Sequence, residues 1–225
     1  DYQKELREVL RGRDRYPDHM GLLRAEIRAR AALDQLQLVD ELLNEALQVS
    51  GNPMGEFRIT ALELRAHGHR ESAWAVAQRG LDFLEGLPPD AANTEANQDE
   101  RFWLLYLLEE WERANEVAKD LVNRFPSNPQ HLFELGVISA RLGWREDAIR
   151  ISEELAHRDG PFDHGRTLSN RAAISAVLGE KEEAVRFLQE AHGKGWPFTV
   201  EVHTHMDYEL LRGYRPFEDF IRPRG

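Results

Sequence analysis

Five short side chains recur along the sequence at nearly constant intervals: Val39, Ala73, Ala114, Ala148 and Ala184, separated by 34, 41, 34 and 36 residues. Self-similarity with such a period confines a chain to arrays of one repeated supersecondary unit. The clearest unit runs from Leu132 to Leu155. It reads as an apolar helix, the turn Leu142-Gly143-Trp144, and an amphipathic helix around Ala148, Ile149 and Leu155. The same grammar returns at Leu178-Gly179-Glu180 and at Ala66-His67-Gly68-His69, and more loosely before Ala114 and Val39. A hairpin of two short helices cannot bury its apolar stripe alone, so neighbouring hairpins must cover it, and a small residue at the marker lets helices approach closely. The expected fold is all-α, a right-handed α-solenoid of about five helical hairpins.

The period also sets boundaries. The array is expected over residues 1–192 and a capping segment over 193–225. Residues 1–17, with Tyr2, Leu6, Val9 and Leu10 at helical spacing, read as the second helix of an incomplete hairpin. Such an end is uncapped, and the expectation is that further repeats of a longer protein, or another surface, cover it. The seven-residue surplus falls in Gly86 to Gln98, either a flexible connection or a recognition loop. After Ala191 the pattern breaks into turn chemistry with aromatics, Gly193 to Phe198. A short terminal helix then begins near Pro216, with Phe217, Phe220 and Ile221 facing inward.

These residues resemble the tetratricopeptide repeat family. Leu135-Gly136, Gly143, Ala148 and Pro126 fill the family's characteristic places, whereas Glu26-Ile27 and Arg101-Phe102 replace the Leu-Gly pair and leave close packing there less assured. The run Asp207 to Ile221 is similar to the tail that ends many bacterial modules of this family fused to signalling kinases, cyclases or hydrolases. That likeness implies a regulatory module of a larger bacterial protein.

Composition narrows function by exclusion. A net charge of −11 is wrong for a phosphate backbone, which needs a clustered positive surface. There are no cysteines, so disulfides and thiolate sites are absent and the redox compartment is undetermined. The longest apolar run, Phe102 to Leu108, is far shorter than the roughly 20 residues that span a bilayer. The sequence holds no GxSxG elbow, phosphate-binding loop or HExxH helix, so no enzymatic activity and no cofactor are expected. His203, His205 and Asp207 are the one metal-like pattern, since alternate residues share a face in an extended segment. The alternative is a polar connection in which Asp207 caps the following helix. His67 and His69, flanking Gly68, are expected to be solvated.

The resemblance directs attention to a groove, because first helices in this family line a concave face with repeat positions 2, 5, 9 and 12. Carried over, these are Arg24 and Arg28; Arg58, Leu62 and Arg65; Asp99, Trp103 and Tyr106; Gln130, Phe133 and Val137; and Arg166 and Ser169. Arginines gather at one end and aromatics in the middle. This implies a protein or peptide partner with an acidic segment held by arginine and an apolar side chain buried against Trp103, Tyr106 and Phe133. The alternative is that the aromatics pack between repeats and the arginines pair with neighbouring acids. The dicarboxylate clamp of chaperone co-factors is not expected, because arginines stand where it wants lysine and asparagine, and Ile59 stands where it wants asparagine. A second functional class is an architectural module that self-associates through its bare first helix.

Overall fold

The computed structural model describes residues 1–158, 163–197, 199 and 201–222; Phe198 and Val200 of the expected turn lie outside the described residues. Among those residues the chain is helical, with no strand. It divides into two compact units, Asp1–Glu109 and Glu110–Gly225.

The first unit holds α1 (Tyr2–Arg15), α2 (Met20–Ala32), α3 (Leu36–Val49), α4 (Pro53–Ala66), α5 (Arg70–Glu85), the single turn α6 (Pro89–Ala92) and α7 (Glu95–Leu107). Helix α2 pairs with α3 and α4 with α5, and α2, α4 and α7 pack in sequence. The unpaired α1 packs on α2, in the place of a preceding second helix. Start signals are local: Asp1, Asn52 and Thr94 cap α1, α4 and α7 through their side chains, and Pro53 sits in the first turn of α4. The stretch read as a loop from Gly86 to Gln98 is partly helical. Asn97 Nδ2 and Gln98 Nε2 donate to the carbonyls of Ala91 (2.8 Å) and Ala92 (2.9 Å), tying α6 to α7.

The second unit holds α8 (Trp111–Arg124), α9 (Pro129–Arg141), α10 (Arg145–Ala156), α11 (Arg166–Val177), α12 (Lys181–Gly193), α13 (Glu201–Thr204), a 3₁₀ turn (Met206–Leu211) and α14 (Arg215–Ile221). Here α9 pairs with α10 and α11 with α12, while α9 and α11 are neighbours. The 3₁₀ turn packs on α11 and α14 on α12. Phe217 is buried, whereas Phe220 and Ile221 are half-buried.

Within hairpins the second helix starts after a turn whose middle residue is left-handed: Asp34, Gly68, Glu109, Gly143 and Gly179, with φ between 59° and 89°. The turns close by a bond from the second helix's cap to the carbonyl five residues back, as in Gln35 to Arg30 (3.0 Å), His69 to Leu64 (2.9 Å) and Trp144 to Ser139 (2.9 Å). The five marker residues, each five positions after a turn centre, are all buried. Gly136 shows why close approach matters. A Cβ built there would lie 2.7 Å from Ile174 Cδ1 and 2.9 Å from Ile151 Cγ2, so α10 and α11 pack directly on its backbone. The equivalent residues Ile27 and Phe102 are nevertheless buried, so larger side chains fill that level elsewhere.

Candidate functional site

The face expected to bind a partner is built in the first unit by α2, α4 and α7. Arg24 Nε and Nη2 donate to Glu56 Oε2 (3.1 Å) and Oε1 (2.6 Å), and buried Glu56 also accepts from Ser50 Oγ (2.9 Å). These bonds hold the Arg24 proton more firmly than usual. Arg28 Nε donates to Glu5 Oε1 at 2.9 Å, and Arg58 Nε to Glu100 Oε2 at 2.8 Å. Arg65 Nη1 reaches Glu109 Oε1 at 2.8 Å, and Arg70 shares that carboxylate. Burial alone would raise the Glu109 carboxyl, but the two arginines outweigh it and hold it below the usual carboxylate range.

Each expected arginine of this unit is therefore engaged by an acid. In Arg24, Arg28 and Arg58 engagement uses only part of the fork. Nη1 of Arg24, Nη1 of Arg28 and both Nη atoms of Arg58 have no hydrogen-bonded protein partner among the described residues. Arg24 is 43% exposed. Half-buried Trp103 packs edge-on against Phe102 (centroids 5.0 Å apart) and Tyr106 (5.6 Å). Tyr106 is 0% exposed and belongs to the interior rather than to a surface ledge, because its ring is stacked among these neighbours.

In the second unit Phe133 and Val137 are buried as well. Arg166 is exposed at the start of α11, its Nε 3.5 Å from Asp163 Oδ1. Asp163 itself caps that helix, accepting from Thr167 N (2.8 Å) and Thr167 Oγ1 (3.0 Å). The metal-like pattern is organised differently from its expectation. Asp207 is fully buried and its Oδ1 accepts from Arg141 Nη2 at 2.8 Å, while His203 is exposed. His205 Nδ1 lies 3.3 Å from Asp207 Oδ2, but among the described residues His203, His205 and Asp207 do not form a group of three converging ligands. His67 and His69, expected to be solvated, are half-buried: His67 meets the Tyr2 ring edge-on at 5.1 Å, and His69 Nε2 lies 2.8 Å from the Ala31 carbonyl.

No protein-family model matches the sequence, and no curated protein does. Among solved structures, a tetratricopeptide repeat protein from Parabacteroides merdae superposes with a TM-score of 0.53 over 94% of this chain and 77% of its own, at 14% identity. The chain has a tetratricopeptide-like repeat fold. YrrB, a tetratricopeptide protein with an unusual peptide-binding site, aligns over 92% of this chain and 97% of its own, with a TM-score of 0.38 and 13% identity. The Naa15/Naa10 complex bound to HypK-THB aligns over 98% of this chain and 32% of its own, with a TM-score of 0.36 and 14% identity.

A tetratricopeptide-like stack explains which residues the sequence did not single out. Glu56 lies 32 residues after Arg24, Glu100 42 after Arg58 and Glu109 44 after Arg65. Each separation is close to one repeat, which places the acid on the next first helix or its turn, beside the arginine. A scan for opposite charges one period apart finds these pairs. A search for isolated basic positions does not.

Proposed function

We propose that this tetratricopeptide-like chain is a protein-interaction scaffold that works by recognition, with the shared face of α2, α4 and α7 as its docking surface. The observation that carries the reading is the row Arg24, Arg28 and Arg58. Each is fixed in direction by a carboxylate of the chain yet keeps Nη donors that no described protein group takes, which a partner's acceptors can use. Such pre-ordered arginines lose little rotamer freedom on binding. Because each already sits beside an acid, an acidic segment is held by the outer Nη edges rather than by a bare positive patch, and Trp103 supplies the apolar contact. On the likeness of residues 207–221 to bacterial signalling tails, the partner-binding unit serves as a regulatory module of a larger bacterial protein.

Titration of fluorescent acidic peptides checks this. The double variant Arg58→Gln with Trp103→Ala is expected to weaken binding about tenfold or more, corresponding to roughly 1.4 kcal/mol. Unchanged affinity with unchanged circular dichroism removes this face from the function. A second reading, self-association through α1, draws on the exposure of Leu10 and Tyr16 on and just beyond that helix. Sedimentation separates the two, since a chain that stays monomeric at high concentration excludes self-association.

A further inference from the structure

The first unit contains a polar cluster that shares only Arg28 with the docking face. Glu63 on α4 is buried, and its Oε2 accepts no hydrogen bond. Around it stand Tyr2 and Glu5 from α1, Arg28 from α2 and, on its own element, His67, whose Nε2 is 3.8 Å from Glu63 Oε2. Among these, Arg28 and Glu5 are the charges that act on it most. The same cluster is what attaches the amino-terminal half of α1: Glu5 takes both Nε and Nη2 of Arg28, and Tyr2 meets His67 edge-on.

We propose that Glu63 is a proton switch that sets how firmly α1 is latched onto α2 and α4. With Glu63 neutral, Arg28 serves Glu5 alone and α1 is held. With Glu63 ionised, two carboxylates compete for one guanidinium, their charges repel, and the α1 end of the latch loosens, uncovering the side of α2 it covers. Burial is the main reason the Glu63 carboxyl is pushed up to about 7; Glu5 adds to the rise and Arg28 opposes it. A raised carboxyl favours the docked state at low pH. Its contribution is fully present below its ordinary value near 4.5 and is lost as pH rises through about 7.

Hydrogen–deuterium exchange of the α1 amides, corrected for intrinsic rate, tests this on the whole chain at pH 6 and pH 8. Protection of α1 is expected to fall about tenfold between the two, while α9 is unchanged. Glu63→Gln, which keeps the shape and removes the charge, is expected to abolish the fall and to retain the pH 6 protection at pH 8. Glu5→Gln should lower α1 protection at both pH values and shrink the step between them, since Arg28 is then free for Glu63. Equal wild-type protection at both pH values, or an undiminished step in Glu63→Gln, overturns the proposal.

Discussion

At Asp34 and Glu109 the chain adopts the left-handed backbone that glycine adopts at Gly68, Gly143 and Gly179. An L-residue there costs about 1–2 kcal/mol, somewhat less for Asp. The two positions differ in what offsets that cost. The Asp34 side chain is exposed and only approaches His69 Nε2, at 3.4 Å, whereas Glu109 binds Arg65 and Arg70. Asp34→Gly is therefore expected to stabilise the protein by about 0.5–1 kcal/mol, raising the melting temperature by roughly 1–4 °C. Glu109→Gly is expected to lower it, because the bond to mostly buried Arg65, worth about 1.5–3 kcal/mol, is lost together with the weaker, half-exposed one to Arg70. Thermal melts of both variants decide this, and two shifts of the same sign contradict the account. These positions also explain why the repeats before Val39 and Ala114 read more loosely in the sequence. The turn is present in both, but the glycine that announces it is not.

At the scale of elements, a buried ion pair helps to hold the carboxyl-terminal segment. Arg141, at the end of α9, donates from Nη2 to Asp207 Oδ1 (2.8 Å) and to the Met206 carbonyl (3.2 Å), and its guanidinium lies 5.4 Å from the Trp111 ring centroid. Asp207 is fully buried, so removing the arginine takes a charge-assisted bond from an interior carboxylate whose other oxygen lies 3.3 Å from His205 Nδ1. Arg141→Ala is expected to cost about 3–5 kcal/mol and to expose residues 201–222 to protease. Limited proteolysis with mass mapping reads this directly, and cleavage spread evenly over the second unit contradicts it. The Tyr208 hydroxyl, bonded to the Ser169 carbonyl at 3.3 Å, ties the same segment to α11. The Tyr208 phenol is pushed well above its usual range, chiefly by burial.

For the whole molecule, charge governs which partners are accessible. The net charge is −11, and among the described residues Arg24, Arg28, Arg58 and Arg65 are paired with acids, an arrangement poorly suited to counterion release. Duplex DNA titrated at about 150 mM salt is expected to produce no binding. Saturable binding with a steep salt dependence contradicts that expectation. No helix among the described residues is long and apolar enough to cross a membrane.

Helical hairpins were legible in the sequence because they rest on local signals: the marker spacing, the turn glycines, and proline or asparagine at helix starts. Burial of Ala73, Ala114, Ala148 and Ala184 follows from the same periodicity. The candidate site was legible only in outline. Arg24, Arg28, Arg58 and Arg65 could be placed by repeat position, but their partners Glu56, Glu5, Glu100 and Glu109 sit on other helices or turns, 23 to 44 residues away. The inward turn of Tyr106 and Phe133, the Arg141–Asp207 pair and the elevated Glu63 carboxyl likewise arise only when helices stack. Periodicity is encoded within one helix pair. Desolvation and the neighbour a charge meets belong to the space between pairs, so only the tertiary structure decided them.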